Sequence, residues 1–305
     1  MNSSLLRHQL HFAATSWRDT AAVTVCLLAS WSLANNAQAA MTYTPFGPNG
    51  EGGTINGQSL SFGSGGEVYE LDAFLGITGQ DLNGVGIGTT AQLSRNPLPA
   101  GVSFVFGKSL SPDGSDLTLT YTFTNNTVST LPGTWFGVFV DPQIDVALNG
   151  YQNEAGIQFG TPGTGHSGTS ADQWQIDEPG YVSGNIFTHL LQGSLDGTNS
   201  VPDTAPNDVS VAHGFSLGDL SAGATATISV MLSDSGDSLG TLALQTYDTD
   251  PQSFDALTVS GIAQVLAVPE PSGLLLGLIA CGTFATLFMF RCFPRPAKAS
   301  LQDGI

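Results

Sequence analysis

Clustered carboxylates are the residues of this sequence best suited to chemistry. Asp248-Thr249-Asp250, with Asp255 shortly after, brings several oxygen ligands within one turn, the donor set a hard cation such as Ca²⁺ requires. The match to a helix–loop–helix calcium loop is incomplete. Ser253 stands where the sharp-turn glycine belongs, and Val259 replaces the closing bidentate glutamate. Asp113-Gly114-Ser115-Asp116 and Asp234-Ser235-Gly236-Asp237 have similar composition but read first as ordinary turns, because Asp and Gly favour turn geometry. Ca²⁺ at Asp248, Asp250 and Asp255 is the one cofactor the residues suggest.

Other reactions lack a full set of groups. Glycosidase chemistry needs two carboxylates across a cleft; Asp141, Asp145, Asp177 and Glu178 are available, but in so acidic a chain availability selects nothing. Trp135-Phe136 and Trp174-Gln175 offer rings on which sugars stack, although such tryptophans more often fill a core. His166, His189 and His213 fall in no paired metal spacing. His166 lies in the loop Gly163-Thr164-Gly165-His166-Ser167-Gly168, which suits a triad histidine, yet no G-x-S-x-G elbow accompanies it. Cys26, Cys281 and Cys292 all lie outside the central region, which therefore has no thiolate nucleophile, disulfide or Cys-ligated zinc. No catalytic residue is assigned, and the chain reads as a non-enzyme.

The elements that position these groups read as short strands parted by Gly, Pro, Asn and Asp. Leu117, Leu119, Tyr121 and Phe123 alternate with Thr118, Thr120, Thr122 and Thr124, which puts the apolar set on a core and the threonines toward solvent. Asn125-Asn126 ends that strand. Trp135–Val140 is apolar enough to be buried on both faces, and Asp141-Pro142 is expected to stop it. Ala224, Ala226, Ile228, Val230 and Leu232 repeat the alternation, and Leu242–Tyr247 and Leu257–Val265 complete the series. No amphipathic helix of three turns connects them. The expectation is an all-β, antiparallel β-sandwich of the immunoglobulin-like or jelly-roll-like kind, forming one domain over residues 40–266. The segment before Phe104 is left open, as part of that sandwich or as a small β-unit against it. A single threonine row does not make an ice-binding face, which needs matched rows on adjacent strands.

Charge bounds the partners. Of 25 acidic residues only Asp19, Glu270 and Asp303 lie outside the body, so 22 acids there face just Arg95 and Lys108. A net charge of about −20 repels nucleic acid and anionic headgroups and attracts cations. Nucleic-acid binding is excluded.

The two ends are addresses. Arg7 and Arg18 precede the apolar run Ala21–Leu33, and Ala37-Gln38-Ala39 supplies the small-x-small pattern that signal peptidase accepts. Residues 1–39 thus read as a signal peptide for the secretion machinery, cleaved after Ala39. Cys26 is no lipid acceptor, since Val25 precedes it where a small residue is required. At the other end Val268-Pro269-Glu270-Pro271-Ser272 leads into Gly273–Phe290, an apolar stretch of roughly 18 residues, followed by Arg291, Arg295 and Lys298. That length suits a bilayer crossing, and the basic cluster would hold its end in the cytoplasm. Prolines on both sides of Glu270 keep the motif extended and out of the helix.

This order of motif, span and basic end over residues 267–305 resembles the PEP-CTERM sorting signal, a tail also described as an ice-binding protein C-terminal domain; that second label carries no functional weight. The resemblance implies reading by an exosortase-type membrane protease, transient anchoring in the inner membrane with the body outside the cytoplasm, and delivery to the cell surface or an extracellular polysaccharide matrix. Leu119–Thr127 and Leu217–Thr227 are similar to segments of immunoglobulin-like bacterial surface modules, and this transfers no binding residues. The function expected is that of an exported, non-enzymatic surface or matrix protein. A secreted polysaccharide-active enzyme and a lectin-like carbohydrate-binding module are the alternatives.

Overall fold

The computed structural model describes residues 41–43, 60–80, 90–93, 98–146, 150–251, 253 and 255–267. The signal segment with Ala37 and Ala39, the motif Val268, Pro269, Glu270 and Pro271, and the apolar stretch 273–290 lie outside the described residues. Among the described residues no helix is long and apolar enough to cross a membrane.

Two antiparallel sheets face each other. The first contains β1 (Thr42–Tyr43), β2 (Leu60–Phe62), β3 (Gly66–Gly76), β7 (Leu131–Gln143), β11 (Ser210–Leu220) and β10 (Gln173–Asp177) in that order, with β4 (Thr90–Gln92) also on β3. The second runs β5 (Val102–Leu110), β6 (Asp116–Asn125), β12 (Thr225–Ser233), β14 (Ala256–Leu266), β13 (Leu242–Asp248) and β8 (Glu154–Gly160), with β9 (Thr169–Ser170) also on β14. The described strands before Phe104 include β1 to β4 of the first sheet.

Period-two alternation explains the packing. In β6, Leu117, Leu119, Tyr121 and Phe123 are fully buried while the threonines between them are half-buried on the outer side. β12 repeats this with Ala226, Ile228, Val230 and Leu232. Phe136 of β7 joins the two layers, its ring 4.9 Å from Tyr121, 5.7 Å from Phe123 and 6.2 Å from Phe215. Each such buried aromatic contributes about 1.5–3 kcal/mol through area alone. The turn after β6 is closed from inside: the buried Asn125 amide donates to Ser129 O and Leu220 O, both at 2.8 Å.

The outer face of the first sheet has its own small apolar cluster. Phe74, Trp135, Phe139 and Ala212 point away from the main core and are covered by α1 (Ile186–Gln192), through Ile186 and Leu190. Phe187 meets Phe74 and Phe139 edge-on, at 5.5 and 5.9 Å. A Cβ at Gly137 would lie 2.2 Å from Trp135 Cη2, so this glycine makes room for the indole. The helix is only two turns long, and Gly193 in the left-handed conformation ends it.

Candidate functional site

The site grows from the same outer face, beyond the end of α1. Glu70 and Asp72 share parity with Phe74 on β3, and Asp141 and Gln143 share parity with Phe139 on β7. The face is therefore apolar beneath the helix and acidic past it. Glu70 pairs directly with Asp141 in the register of β3 and β7.

Two irregularities shape this end. β7 does not stop at Asp141-Pro142, as its proline led us to expect, but runs on to Gln143. Its pairing with β11 ends at Val140, and Pro142 lies opposite Val68 at a bulge in β3, where a missing N–H is tolerated. Asp141 is consequently a strand residue with a fixed direction. The bulge inserts Tyr69 between Val68 and Glu70, and such insertions re-aim a side chain. Tyr69 is 41% exposed and meets Tyr181 edge-on at 6.4 Å.

Tyr181 comes from the loop between β10 and α1, which Asp177 ties at both ends. Asp177 accepts from Glu178 N at 2.9 Å through one carboxylate oxygen and from Asn185 N at 2.9 Å through the other. Inside the loop Gly180 N donates to Ser183 O at 2.9 Å, and the Ser183 hydroxyl donates to Glu178. Gly184 has φ +86°, and a Cβ there would stand 2.3 Å from Glu178 O. The loop is pinned, with Tyr181 and Val182 turned outward.

Loop and sheet enclose a pocket of about 370 Å³, lined by Tyr69, Asp141, Tyr151, Glu178, Tyr181 and Asp208 among others. Asp141 is 2% exposed, and among the described residues no hydrogen-bond partner reaches its Oδ1 or the likewise buried Asp208 Oδ1. Burial, with Asp208, Glu154 and Glu70 around it, pushes the Asp141 carboxyl well above the usual carboxylate range. Burial and Glu178 push Asp208 up to about 6. Beneath them, burial raises Glu154 to about 9, even though Ile144 N and Val209 N donate to its two oxygens. A wall of exposed rings over carboxyl groups suits a ligand with an apolar face on one side and polar groups on the other.

The residues singled out by sequence are mostly elsewhere. Asp255 caps the turn before β3, accepting from Ser64 N at 2.9 Å, Ser64 Oγ at 3.0 Å and Gly65 N at 2.8 Å. Asp248 Oδ1 accepts from Asn153 Nδ2 at 2.8 Å and from Asp250 N at 2.6 Å. Among the described residues no group of three or more His, Cys, Asp or Glu is arranged to hold a metal ion. Asp113 accepts from Ser111 Oγ, Ser115 N and Ser115 Oγ, an ordinary turn. Asp145 accepts from the Ser253 hydroxyl. Trp135 and Phe136 are buried and Trp174 packs against the main core, so none of them offers a free ring to a sugar.

The histidines are dispersed. His166 Nδ1 meets Ser216 O at 3.1 Å, His189 Nδ1 meets Gln175 Oε1 at 2.7 Å, and buried His213 meets Val259 O through Nε2 at 3.0 Å. Burial lowers His213 to about 4. The threonine row of β6 does find a neighbour: Thr124 and Thr122 stand opposite Thr225 and Thr227, and Thr120 opposite Ser229.

Of the sequence candidates, the structure gathers Asp141 and Glu178 at the pocket, with Asp177 bracing its loop. Tyr69, Tyr151, Tyr181 and Asp208 escaped sequence reasoning. A signal was available for two of them, since Tyr151 and Tyr181 each directly follow a glycine in turn-rich segments, where a large ring has no core to fill.

No family model matches the chain. No curated protein matches it either. Among solved structures, a polysaccharide lyase aligns at a TM-score of 0.28 with 10% identity, over 75% of this chain and 46% of the other. The chain thus spans less than half the length of that protein, and a likeness of this degree carries no argument.

Proposed function

We propose that the chain is an exported, non-enzymatic protein of the cell surface or extracellular matrix, and that its body binds saccharide in the tyrosine-rimmed pocket. The observation that carries this reading is the convergence of Tyr69, Tyr151 and Tyr181, all at least 41% exposed, around a cavity floored by buried carboxyl groups. Rings left in solvent around a polar floor favour stacking of a sugar's apolar face, with acceptors meeting its hydroxyls. On this reading residues 1–39 direct export and 40–266 form the sandwich, of the immunoglobulin-like or jelly-roll-like kind. Residues 267–305 are the PEP-CTERM tail, handed to an exosortase-type protease through Val268, Pro269, Glu270 and Pro271. Intact mass of the protein from its host tests the processing: retention of Gly273–Phe290 in extracellular material sinks it.

The pocket is tested by titrating the full chain in detergent with a panel of defined oligosaccharides and assaying reducing ends in parallel. Saturable binding without release of reducing ends is the expected result. One observation favours a second reading, a secreted polysaccharide-active enzyme: Asp141, raised well above the usual range, shares the pocket with Glu178 and Asp208. Two carboxyl groups of different acidity are the raw material of glycoside hydrolysis. Release of reducing ends, abolished by Asp141→Asn, would establish that reading instead.

A further inference from the structure

We infer that the pocket selects a positively charged saccharide, an amino sugar whose free ammonium group is held by Asp141, Asp208 and Glu178 while its ring lies against the tyrosines. The inference rests on the saccharide reading above and adds the charge of the ligand.

Charge and valence lead there together. Among the described residues the pocket lining contributes three carboxyl groups and no basic side chain. Lys108 lies on β5, in the other sheet. Among the described residues, no donor reaches the buried Asp141 Oδ1 or Asp208 Oδ1. A uronic acid would bring a third party of the same sign to this floor and be repelled. A neutral hydroxyl offers a donor but leaves the charge uncompensated. An ammonium group offers three donors and the opposite charge in one group.

The walls agree with the floor. Tyrosine faces carry negative electrostatic potential and attract cations, and Tyr69, Tyr151 and Tyr181 surround the same space. Gln143 adds an amide able to meet ring hydroxyls, which a bare amine would not use. The volume of about 370 Å³ falls at the small end of ligand sites and suits one or two sugar rings.

Isothermal titration of the full chain in detergent tests this with four probes: a glucosamine tetramer, its N-acetylated counterpart, a galacturonic acid tetramer and cadaverine. The expected result is glucosamine binding at least about tenfold tighter than the N-acetylated oligomer, and no binding of the uronate. Asp208→Asn, at a half-buried position, should cost about tenfold for glucosamine and abolish its preference over the N-acetylated oligomer. Equal affinity for the acetylated and free oligomers overturns the inference while the saccharide reading stands. Cadaverine binding as tightly as glucosamine overturns the sugar part. No binding by any oligomer overturns both, and an Asp208→Asn protein that keeps full glucosamine affinity removes the carboxylates from the role assigned to them.

Discussion

Glu70 and Asp141 stand directly opposite one another across β3 and β7, each almost wholly removed from water. Like charges in such a cross-strand pair repel, and burial deprives them of the solvent that would screen the repulsion. Burial, with Asp208, Glu154 and Glu70 around it, holds the Asp141 carboxyl well above the usual carboxylate range.

Stability should therefore fall as pH rises above neutrality. Glu154 has a folded value of about 9 against an ordinary 4.5, so the folded state holds a proton that the unfolded chain has released between those values. Its stabilising contribution is complete below about 4.5 and is lost as pH climbs through 9; Asp141 acts in the same sense. His213 opposes this only between about 4 and 6.5, where the unfolded chain binds the proton that the folded one refuses. From pH 6.5 to 9 the carboxyls act alone. Scanning calorimetry should show the midpoint dropping across that range, by about 2–4 °C per kcal/mol lost, with a flatter profile for Glu154→Gln.

Pocket rings and core rings should separate cleanly. Tyr181→Ala and Tyr69→Ala remove exposed rings and should lower oligosaccharide affinity about tenfold while changing stability by no more than about 0.5 kcal/mol. Phe136→Ala empties the contact between the two sheets and should cost about 3–5 kcal/mol in urea unfolding.

Gly184→Ala tests the pinned loop. A side chain at φ +86° costs about 1–3 kcal/mol in strain, and its Cβ would press on Glu178 O. Limited proteolysis should find new cleavage between residues 178 and 185, together with loss of saccharide binding, while the β-sheet circular dichroism is retained.

At Asp255 the expected effect is structural. Asp255→Ala leaves Ser64 and Gly65 without their shared acceptor and should cost about 1–3 kcal/mol. Melting in CaCl₂ and in NaCl of equal ionic strength should show the same loss in both salts, and Asp250→Asn should leave any salt effect unchanged. A stabilisation specific to millimolar Ca²⁺, removed by Asp250→Asn, would establish a cation site at Asp248, Asp250 and Asp255.

The strands β6 and β12 were legible because period two is written into them with apolar side chains at every second position. The end of β7 was not. Pro142 reads locally as a stop, and only the partner strand's bulge reveals that the ladder accommodates it. The acids were counted as surface because composition does not say which face an acid occupies. Glu70, Asp72 and Phe74 alternate with Leu71, Ala73 and Leu75, a pattern visible in sequence, yet both sets are buried, and only the position of α1 separates helix-covered from pocket-facing residues. The loop tyrosines follow no period at all.

The place of β14 in its sheet bears on how the body would carry mechanical load. The strand is interior, laddered to β12 from Leu266 opposite Thr225 to Thr258 opposite Ser233, and to β13 on its other side. A pull on the chain beyond Leu266, directed along the strand, draws β14 lengthwise past two antiparallel neighbours, so that many backbone hydrogen bonds resist together instead of opening one after another. Tension entering by this route meets the sheet in shear, its most resistant direction, and the acidic pocket lies on the outer face of the opposite sheet, away from the strand that takes the strain.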